Sequence, residues 1–538
     1  MRLTAHRDGR GTHANTPIPT CRSHRLYRGS GTCGVSSLSQ FRRRPEMRYS
    51  VAMTGEVEAA MRDHLIREDG QEDVLAATYV LSTGMERTTA LIRSVILPNE
   101  GDRHVHGNAS FTSGYVLRAS NEARAAGQGL VLLHSHPASR GWQFLSDMDW
   151  DTESEYERVA RAITKMPLLG MTLGGRDTSW SARFWFDRKV PTWAESVRSV
   201  APKLRVTWNG ELRRIPANTR SQQRTVSSWG ERSQASIARL RVLVVGGGSV
   251  GLDIAQRLAA TGLTTVGVMD YDAVETANLD RMIGATRLDA ALGRSKVDVA
   301  ARLMRSSATA ESFEIHRHET SITDPVGVSA ALDYDVIFSC VDRPWPRAVL
   351  NALAYTDLIP VIDGGIALDT FADGRMRNGI WRAHTLVPGR PCMACIGQLV
   401  VGEISLDKQG LLDDPVYIAG TGRELPSRQN VAALSASVSA ALLAQFVSLT
   451  AHPGGRGVPA PLRHVLSTQT LEHSAATSGP YCTFENATAL GDTRIAIAEH
   501  REDWRAVVQA RTSTKHPLPL RALAMAENIL QRAIHRIK

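Results

Sequence analysis

Apolar positions begin to recur with regular spacing near Met53. Residues 57–66 carry helical spacing, and 74–81 and 90–97 read as strands. Residues 130–133 form a short apolar strand, and 168–173 and 180–186 read as two more. From 190 to 220 the chain mixes Pro, Trp and Arg without long periodicity, which predicts a connecting segment with some short strands and a linker at 201–219. Residues 224–240 suit a helical lead-in to the apolar run 242–245, a central parallel strand. A glycine turn, a helix and a second strand ending in acids follow, and 334–342 reads as another central strand ending in an acid. Residues 431–449 predict a long helix backing the sheet, and the last forty-odd residues read as helical and basic. The pattern is α/β, with one domain at 53–200, a second at 220–492 and a helical tail at 493–538.

Composition changes this picture little. The 538 residues carry a formal charge of +9. Residues 1–52 hold ten Arg, no Lys and two acids, so about +8 of that charge sits there. The remainder is nearly neutral, which argues against a nucleic-acid partner. The opening stretch is rich in Arg, Ser, Gly and Thr and predicts a disordered extension, read as a basic arm, an Arg-rich transit peptide or, preferentially, the result of a start at Met47 or Met53. The most membrane-like span, 431–451, contains Ser, Thr and Gln and suits a buried helix, so no membrane segment is expected. Six cysteines do not make a disulfide framework, and a reducing cytoplasm is the expected location.

Gly246, Gly248 and Gly251 form a GxGxxG turn after the apolar run, where backbone approaches a phosphate at a helix N-terminus. Asp270, ending the next strand, is placed to hold a ribose hydroxyl. Dehydrogenases, flavoproteins and ATP-using enzymes share such a turn. Asn278, Arg281 and Lys296 follow Asp270. Cations and amides in that place suit a leaving pyrophosphate better than hydride transfer. The run Asp270 to Met282 resembles the DxDxVxxSNLxRQ pattern of the ThiF/MoeB/E1 family, with Ala277 for Ser and Met282 for Gln. The resemblance spans about 220–492. It implies a Rossmann-like, mainly parallel sheet and ATP-dependent adenylation of the C-terminal glycine of a ubiquitin-like or sulfur-carrier protein. It also implies Asp270 on the ribose, Asn278, Arg281 and Lys296 on the triphosphate, Asp342 on magnesium, and Arg224 reaching the phosphates, often across a homodimer.

Upstream, the strand at 130–133 runs into His134-Ser135-His136-Pro137, and Ser146-Asp147-Met148-Asp149 follows after a loop. Histidines at i and i+2 project on one side of a strand, and Pro137 stops the ladder. With a carboxylate they make the three-ligand set that a catalytic zinc needs, one position remaining open for water. HxHP followed by SxxD resembles the JAMM (JAB/MPN) metalloproteases. That resemblance implies a JAB/MPN-type mixed α/β domain, zinc on His134, His136 and Asp149, an oxyanion-stabilising Ser146, and an upstream general-base Glu. Glu68 and Glu72 are the candidates, and Glu72, directly before the strand at 74–81, is chosen. The spacer 138–145 is longer than is usual in that family.

Cys392 and Cys395 form a CxxC where the ThiF-like family often has half of a four-cysteine zinc site. Cys482 aligns with the second half, but Glu485 stands in place of its last Cys. A structural zinc on Cys392, Cys395 and Cys482, or a thioester at Cys392 or Cys395, are the alternatives. Cys340, in an apolar strand, is expected to be packed. Together these readings predict a bifunctional enzyme using zinc, ATP and magnesium, with a glycine-ended carrier protein and an E2-like protein as partners. Its rivals are a non-catalytic scaffold and a sulfur-carrier activator of cofactor biosynthesis.

Overall fold

The computed structural model describes residues 47–106, 108–187, 189–421, 429–500 and 502–537. Residues 1–46, most of the Arg-rich extension, lie outside the described residues. The first half is built on β1 (Arg48–Thr54), β2 (Val74–Thr83), β3 (Arg87–Ile96), the hairpin β4 (Arg103–His106) and β5 (Asn108–Phe111), β6 (Gly129–His136), β7 (Leu168–Gly174), β8 (Ser179–Trp185), β9 (Thr192–Trp193), β10 (Ser196–Val200) and β11 (Arg205–Trp208). Apart from the hairpin these form one mixed sheet in the order β11-β10-β1-β3-β2-β6-β7-β8-β9. Helices Gly55–Leu65, Ser113–Ala125 and Asp147–Thr164 pack on it.

Two boundaries differ from the sequence expectation. The extension was expected to run to residue 52, yet β1 starts at Arg48 and lies inside the sheet, parallel to β3 and β10. Val51, Ala52 and Met53 are fully buried only because strands from distant sequence flank them. The expected linker at 201–219 contains β11, which pairs antiparallel with β10. Within it the Leu204 N–H donates to the Leu449 carbonyl (3.0 Å), so this stretch docks on the second half.

The second half contains β12 (Arg241–Val245), β13 (Thr265–Met269), β14 (Glu314–His318), β15 (Val336–Ser339), β16 (Val361–Thr370), β17 (Met376–Leu386), β18 (Leu462–Val465) and β19 (Thr470–His473). Its order is β14-β13-β12-β15-β16-β17-β18-β19; the first five are parallel and the rest antiparallel. The chain leaves β12 outward to β13 and β14, then returns to lay β15 on the other side. This makes a switch point beside β12, where open α/β sheets bind ligands. Helix Ala432–Thr450 is long and apolar enough to cross a membrane. Here it buries Leu434, Val438, Leu442, Phe446 and Leu449 against the second half's core, as expected of a helix backing the sheet.

Residues 46–538 are one compact unit. Ala52, Val80, Leu91, Val200, Leu204 and Trp208 of the first half share a hydrophobic core with β12, β13 and β15 of the second. Polar contacts fasten the same seam. Asp335, just before β15, is fully buried; it accepts from Arg87 of β3 (2.5 Å), Arg198 of β10 (3.1 Å) and the Arg241 N–H (2.9 Å). Arg241 in turn donates twice to Glu195 (2.5 and 3.0 Å). Burial opposes ionisation of Asp335, but Arg87, Arg198 and Arg241 outweigh it and hold the carboxyl well below the usual carboxylate range. Arg198, desolvated and repelled by Arg87, is pushed down to about 9.

Removing this carboxylate leaves two buried cations without a counter-ion. Asp335→Ala is expected to cost about 3–5 kcal/mol in chemical denaturation of the full chain. A depressed carboxyl pKa contributes stability above about pH 4 that is lost as pH falls. The difference between wild type and Asp335→Ala should therefore be full at pH 7 and shrink on acidification. A constant difference from pH 7 down to pH 3 would contradict the assignment.

Candidate functional sites

The first site is assembled at the end of β6. His134 and His136 lie on one face of the strand, while Ser135 on the other face accepts from the Asp73 N–H (3.0 Å). Register places Val74 opposite His134, so Glu72, two residues before Val74, approaches His136. Asp149 comes from the first turn of helix Asp147–Thr164. Ser146 caps that helix: its Oγ accepts from the Asp149 N–H (3.2 Å) and donates to the Asp149 carboxylate (2.7 Å). One ligand atom from each of His134, His136 and Asp149 falls within 4.8 Å of the others. His134 Nε2 and His136 Nε2 stand 3.6 and 3.9 Å from the two Asp149 oxygens.

Electrostatics fit that grouping. Burial, with Arg183 nearby, pushes His134 down to about 3, so its imidazole is neutral and has a lone pair to give. Burial also raises Glu72, and Asp149 reinforces the effect while His136 and the Ala109 N–H of β5 oppose it. Glu72 therefore faces the cluster, as the choice over Glu68 requires. The hydroxyl of Ser146, the residue expected to stabilise an oxyanion, holds Asp149 and caps a helix. Sequence reading also missed a supporting chain, in which Arg183 donates to Thr172 (2.7 Å) and Thr172 Oγ1 lies 3.3 Å from His134 Nε2. Polar residues inside the apolar strands β7 and β8 were its signal. Two imidazoles and a carboxylate of this spacing fit a zinc ion.

The second site lies at the carboxyl edge of β12 and β13. Gly246 has φ of +97°, and a Cβ there would sit 2.5 Å from the Cys340 carbonyl. At Gly251 a Cβ would lie 1.8 Å from the Gly246 carbonyl, so the helix Ser249–Thr261 can begin this close to β12 only with glycine. The Gly247 N–H donates to Asp270 (2.7 Å). Lys296, the first residue of helix Lys296–Ser307, donates to Asp272 (2.7 Å) and stands 3.7 Å from Asp270. Burial works against the Lys296 charge, but Asp270, Asp272 and Asp342 outweigh it and raise its pKa. Asp270 is raised by burial against the pull of Lys296.

Other expected residues are less engaged. Asn278 accepts from the Glu275 N–H (3.0 Å) within a short turn, and Arg281 donates to the Ala277 carbonyl (2.7 Å) and Asp280 (2.8 Å). Asp342 is exposed beyond β15. Arg224 is exposed in helix Gln223–Trp229, and no side-chain hydrogen bond or ion pair joins it to this cluster among the described residues. The tail, unassigned by the sequence beyond being helical, packs here: Arg511 donates to the Tyr271 carbonyl (2.8 Å), and Glu527 pairs with Arg294 (2.7 Å) and Arg302 (3.3 Å).

Cys392 Sγ lies 3.6 Å from Cys395 and 3.5 Å from Cys482, so the three thiols meet as the family resemblance implied. Glu485 is turned to the Gly389 N–H (3.2 Å) and Ser478 (3.5 Å) and is outside the grouping that could hold a metal. Burial pushes Cys392 up to about 12 and raises Cys340, which is half-buried and packed against the core as expected, higher still.

Residues 220–449 match the ThiF family. The ThiF-like segment thus begins after the first sheet and covers the glycine turn, Asp270, Lys296, Cys392 and Cys395. The adenylyltransferase and sulfurtransferase uba4 of Pyricularia oryzae is 25% identical over 210 residues, 39% of this chain and 41% of that protein. The adenylyltransferase and sulfurtransferase MOCS3 of Bos taurus is 34% identical over 162 residues, 30% of this chain and 34% of that protein. The chain spans about two fifths or less of these curated relatives. The crystal structure of E. coli MccB with MccA-N7isoASN aligns at TM-score 0.40 and 18% identity, over 52% of this chain and 76% of that one. Residues 47–219 lie outside the ThiF match and rest on their own geometry.

The glycine turn makes an ordered prediction. Gly251→Ala is expected to cost more than about 1 kcal/mol, since backbone must move to admit the methyl group. At Gly248 an added Cβ meets nothing within 4 Å, and Gly248→Ala should stay within about 1 kcal/mol of wild type. Denaturant melts of the two variants compare them directly; equal losses would mean the turn is not packed this way.

Proposed function

We propose that this chain is a bifunctional enzyme acting on one carrier protein. Its ThiF-like half adenylates the C-terminal glycine of a ubiquitin-like or sulfur-carrier protein, and its first half is a zinc-dependent (iso)peptidase that trims or releases the same carrier. The observation that carries the reading is the presence, in one compact unit, of the Glu72–His134–His136–Asp149 cluster and the Gly246–Asp270–Lys296 turn.

In the ThiF-like half a carrier carboxylate oxygen attacks the α-phosphorus of ATP, and pyrophosphate leaves. The glycine turn offers backbone N–H groups to the phosphates, and Asp270 takes the ribose. Lys296 and Arg281 exchange their present partners for the leaving group's charge. Asp342 is the residue expected to hold magnesium. A homodimer would supply Arg224 to the phosphates. In the first half, His134, His136 and Asp149 would hold a zinc ion, which supplies a Lewis acid for amide hydrolysis. Glu72 takes a proton from the attacking water and delivers it to the leaving amine. Its raised pKa favours that exchange, and Ser146 keeps Asp149 in place.

The sulfurtransferase relatives favour a second reading, in which the acyl-adenylate receives sulfur; an E2-like acceptor would favour conjugation instead. For either reading we propose a reducing cytoplasm as the location.

Lys296→Ala and Arg281→Ala are each expected to slow carrier-dependent exchange of pyrophosphate into ATP at least about tenfold, the ~1.4 kcal/mol of one lost charged stabiliser. Wild-type exchange in both would reject the site. His136→Ala should lower the zinc content of the full chain by about one ion. Glu72→Gln should keep that ion yet fail to cut a carrier extended beyond its glycine. Zinc content that is the same in wild type and His136→Ala would reject the peptidase half.

A further inference from the structure

At the carboxyl end of β15, where β16 and β17 run beside it, lies a charged cluster that the functional reading has not used. Asp363 of β16 is fully buried and accepts from Ser339 Oγ (2.7 Å). Two guanidiniums approach it, Arg347 from helix Pro344–Thr356 at 3.6 Å and Arg382 of β17 at 3.9 Å. Arg347 is well anchored, donating to the Val341 carbonyl (3.1 Å) and the Gly364 carbonyl (3.0 Å). Arg382 is not: its Nε and Nη2 are shielded from solvent and have no acceptor among the described residues, and the second Asp363 oxygen has no donor. Between the guanidiniums lies Gly365, where a Cβ would stand 2.7 Å from Arg347 Nη2 and 3.3 Å from Arg382 Cζ. The bare backbone is what leaves room for both.

The charge count is unbalanced. Arg347 and Arg382 share one carboxylate, and His384, the next residue on the same face of β17, is held neutral by burial. Burial first, then repulsion from Arg347, pushes Arg382 down to about 10, still charged at neutral pH. Charged donors without acceptors in a desolvated place are costly, and a guanidinium pairs best with a planar carboxylate. The Arg382 side chain reaches the surface, being 26% exposed, while its Nε and Nη2 stay covered, so a carboxylate would approach from that surface side. Its position is also telling. β15 lies beside β12, the added Cβ of Gly246 would touch the Cys340 carbonyl, and Arg347 grips Val341, the residue before Asp342. The pair therefore flanks the switch point on the β16 side, opposite Asp270 on the β13 side.

We propose that Arg347 and Arg382 bind the C-terminal carboxylate of the polypeptide that the ThiF-like half activates, a subsite that rests on the adenylation reading. Saturation-transfer NMR on the full chain, with acetyl-Gly-Gly and its C-terminal amide as probes, tests it. The acid is expected to bind saturably to wild type and the amide at least tenfold more weakly. Arg382→Met should weaken the acid at least tenfold without changing ATP affinity, and Arg382→Lys, which keeps the charge, should fall between. Circular dichroism melts check that both variants fold, and the Lys variant serves if the Met variant does not. Equal binding of acid and amide, equal binding by wild type and the folded variant, or no binding to wild type would each overturn the subsite. Wild type that binds the acid through Arg382 but never exchanges pyrophosphate with any glycine-ended carrier would keep the subsite and remove the adenylation reading. Exchange by Arg382→Met at the wild-type carrier KM would remove the subsite and keep that reading.

Discussion

A single buried carboxylate, Asp335, ties the two halves of this chain together. It lies before β15, yet two of its cationic partners, Arg87 and Arg198, belong to the other sheet, and its remaining bond goes to the backbone at the start of β12. Two desolvated guanidiniums are tolerable only while that anion stays ionised between them. Around this point the apolar core runs without a break from β3 and β10 into β12 and β15. Arg87 also donates to the Leu332 carbonyl (2.9 Å), and the backbone at Glu86 and Arg87 donates to Asp333 (3.0 and 2.8 Å), so the seam is sealed on several sides. The halves are therefore one folding and positioning unit.

That rigidity bears on both sites because each is built at a strand end. In the first half β6 carries two histidines, and β2 delivers Glu72 beside them through antiparallel register. The ligand Asp149 depends on a helix cap. Its carboxylate accepts from Ser146 while its own N–H returns a bond, so the cap fixes the ligand's direction. In the second half parallel strands end together at a crevice, with the glycine turn, Asp270 and Lys296 on one side and the Arg347–Arg382 pair on the other. The tail closes part of that edge, since Arg511 and Glu527 clasp Tyr271, Arg294 and Arg302. Residues from the far end of the sequence thus frame the segment that follows Asp270.

Much of this was legible in the sequence, for reasons of spacing. Histidines at i and i+2 must share a strand face, and the glycines of a GxGxxG turn must be where backbone crowds backbone, as the 1.8 Å approach at Gly251 shows. Local period and local sterics fixed β2, β3, β6 to β8, β12, the long helix 432–450 and the meeting of His134, His136 and Asp149. What local pattern could not supply was any feature whose burial comes from elsewhere. β1 follows an Arg-rich run and looks like its continuation; only β3 and β10 make it a central strand. β11 hides in an apparent linker because its partner, β10, and the surface of the second half create its environment. Nothing in the local pattern marks Arg87, Arg198, Arg347 and Arg382, and only the tertiary structure draws them around Asp335 and Asp363. The physical reason is that a charge's meaning depends on its dielectric surroundings and counter-ions, which are set by contacts far apart in sequence, whereas a turn or a strand face is set by the few residues beside it.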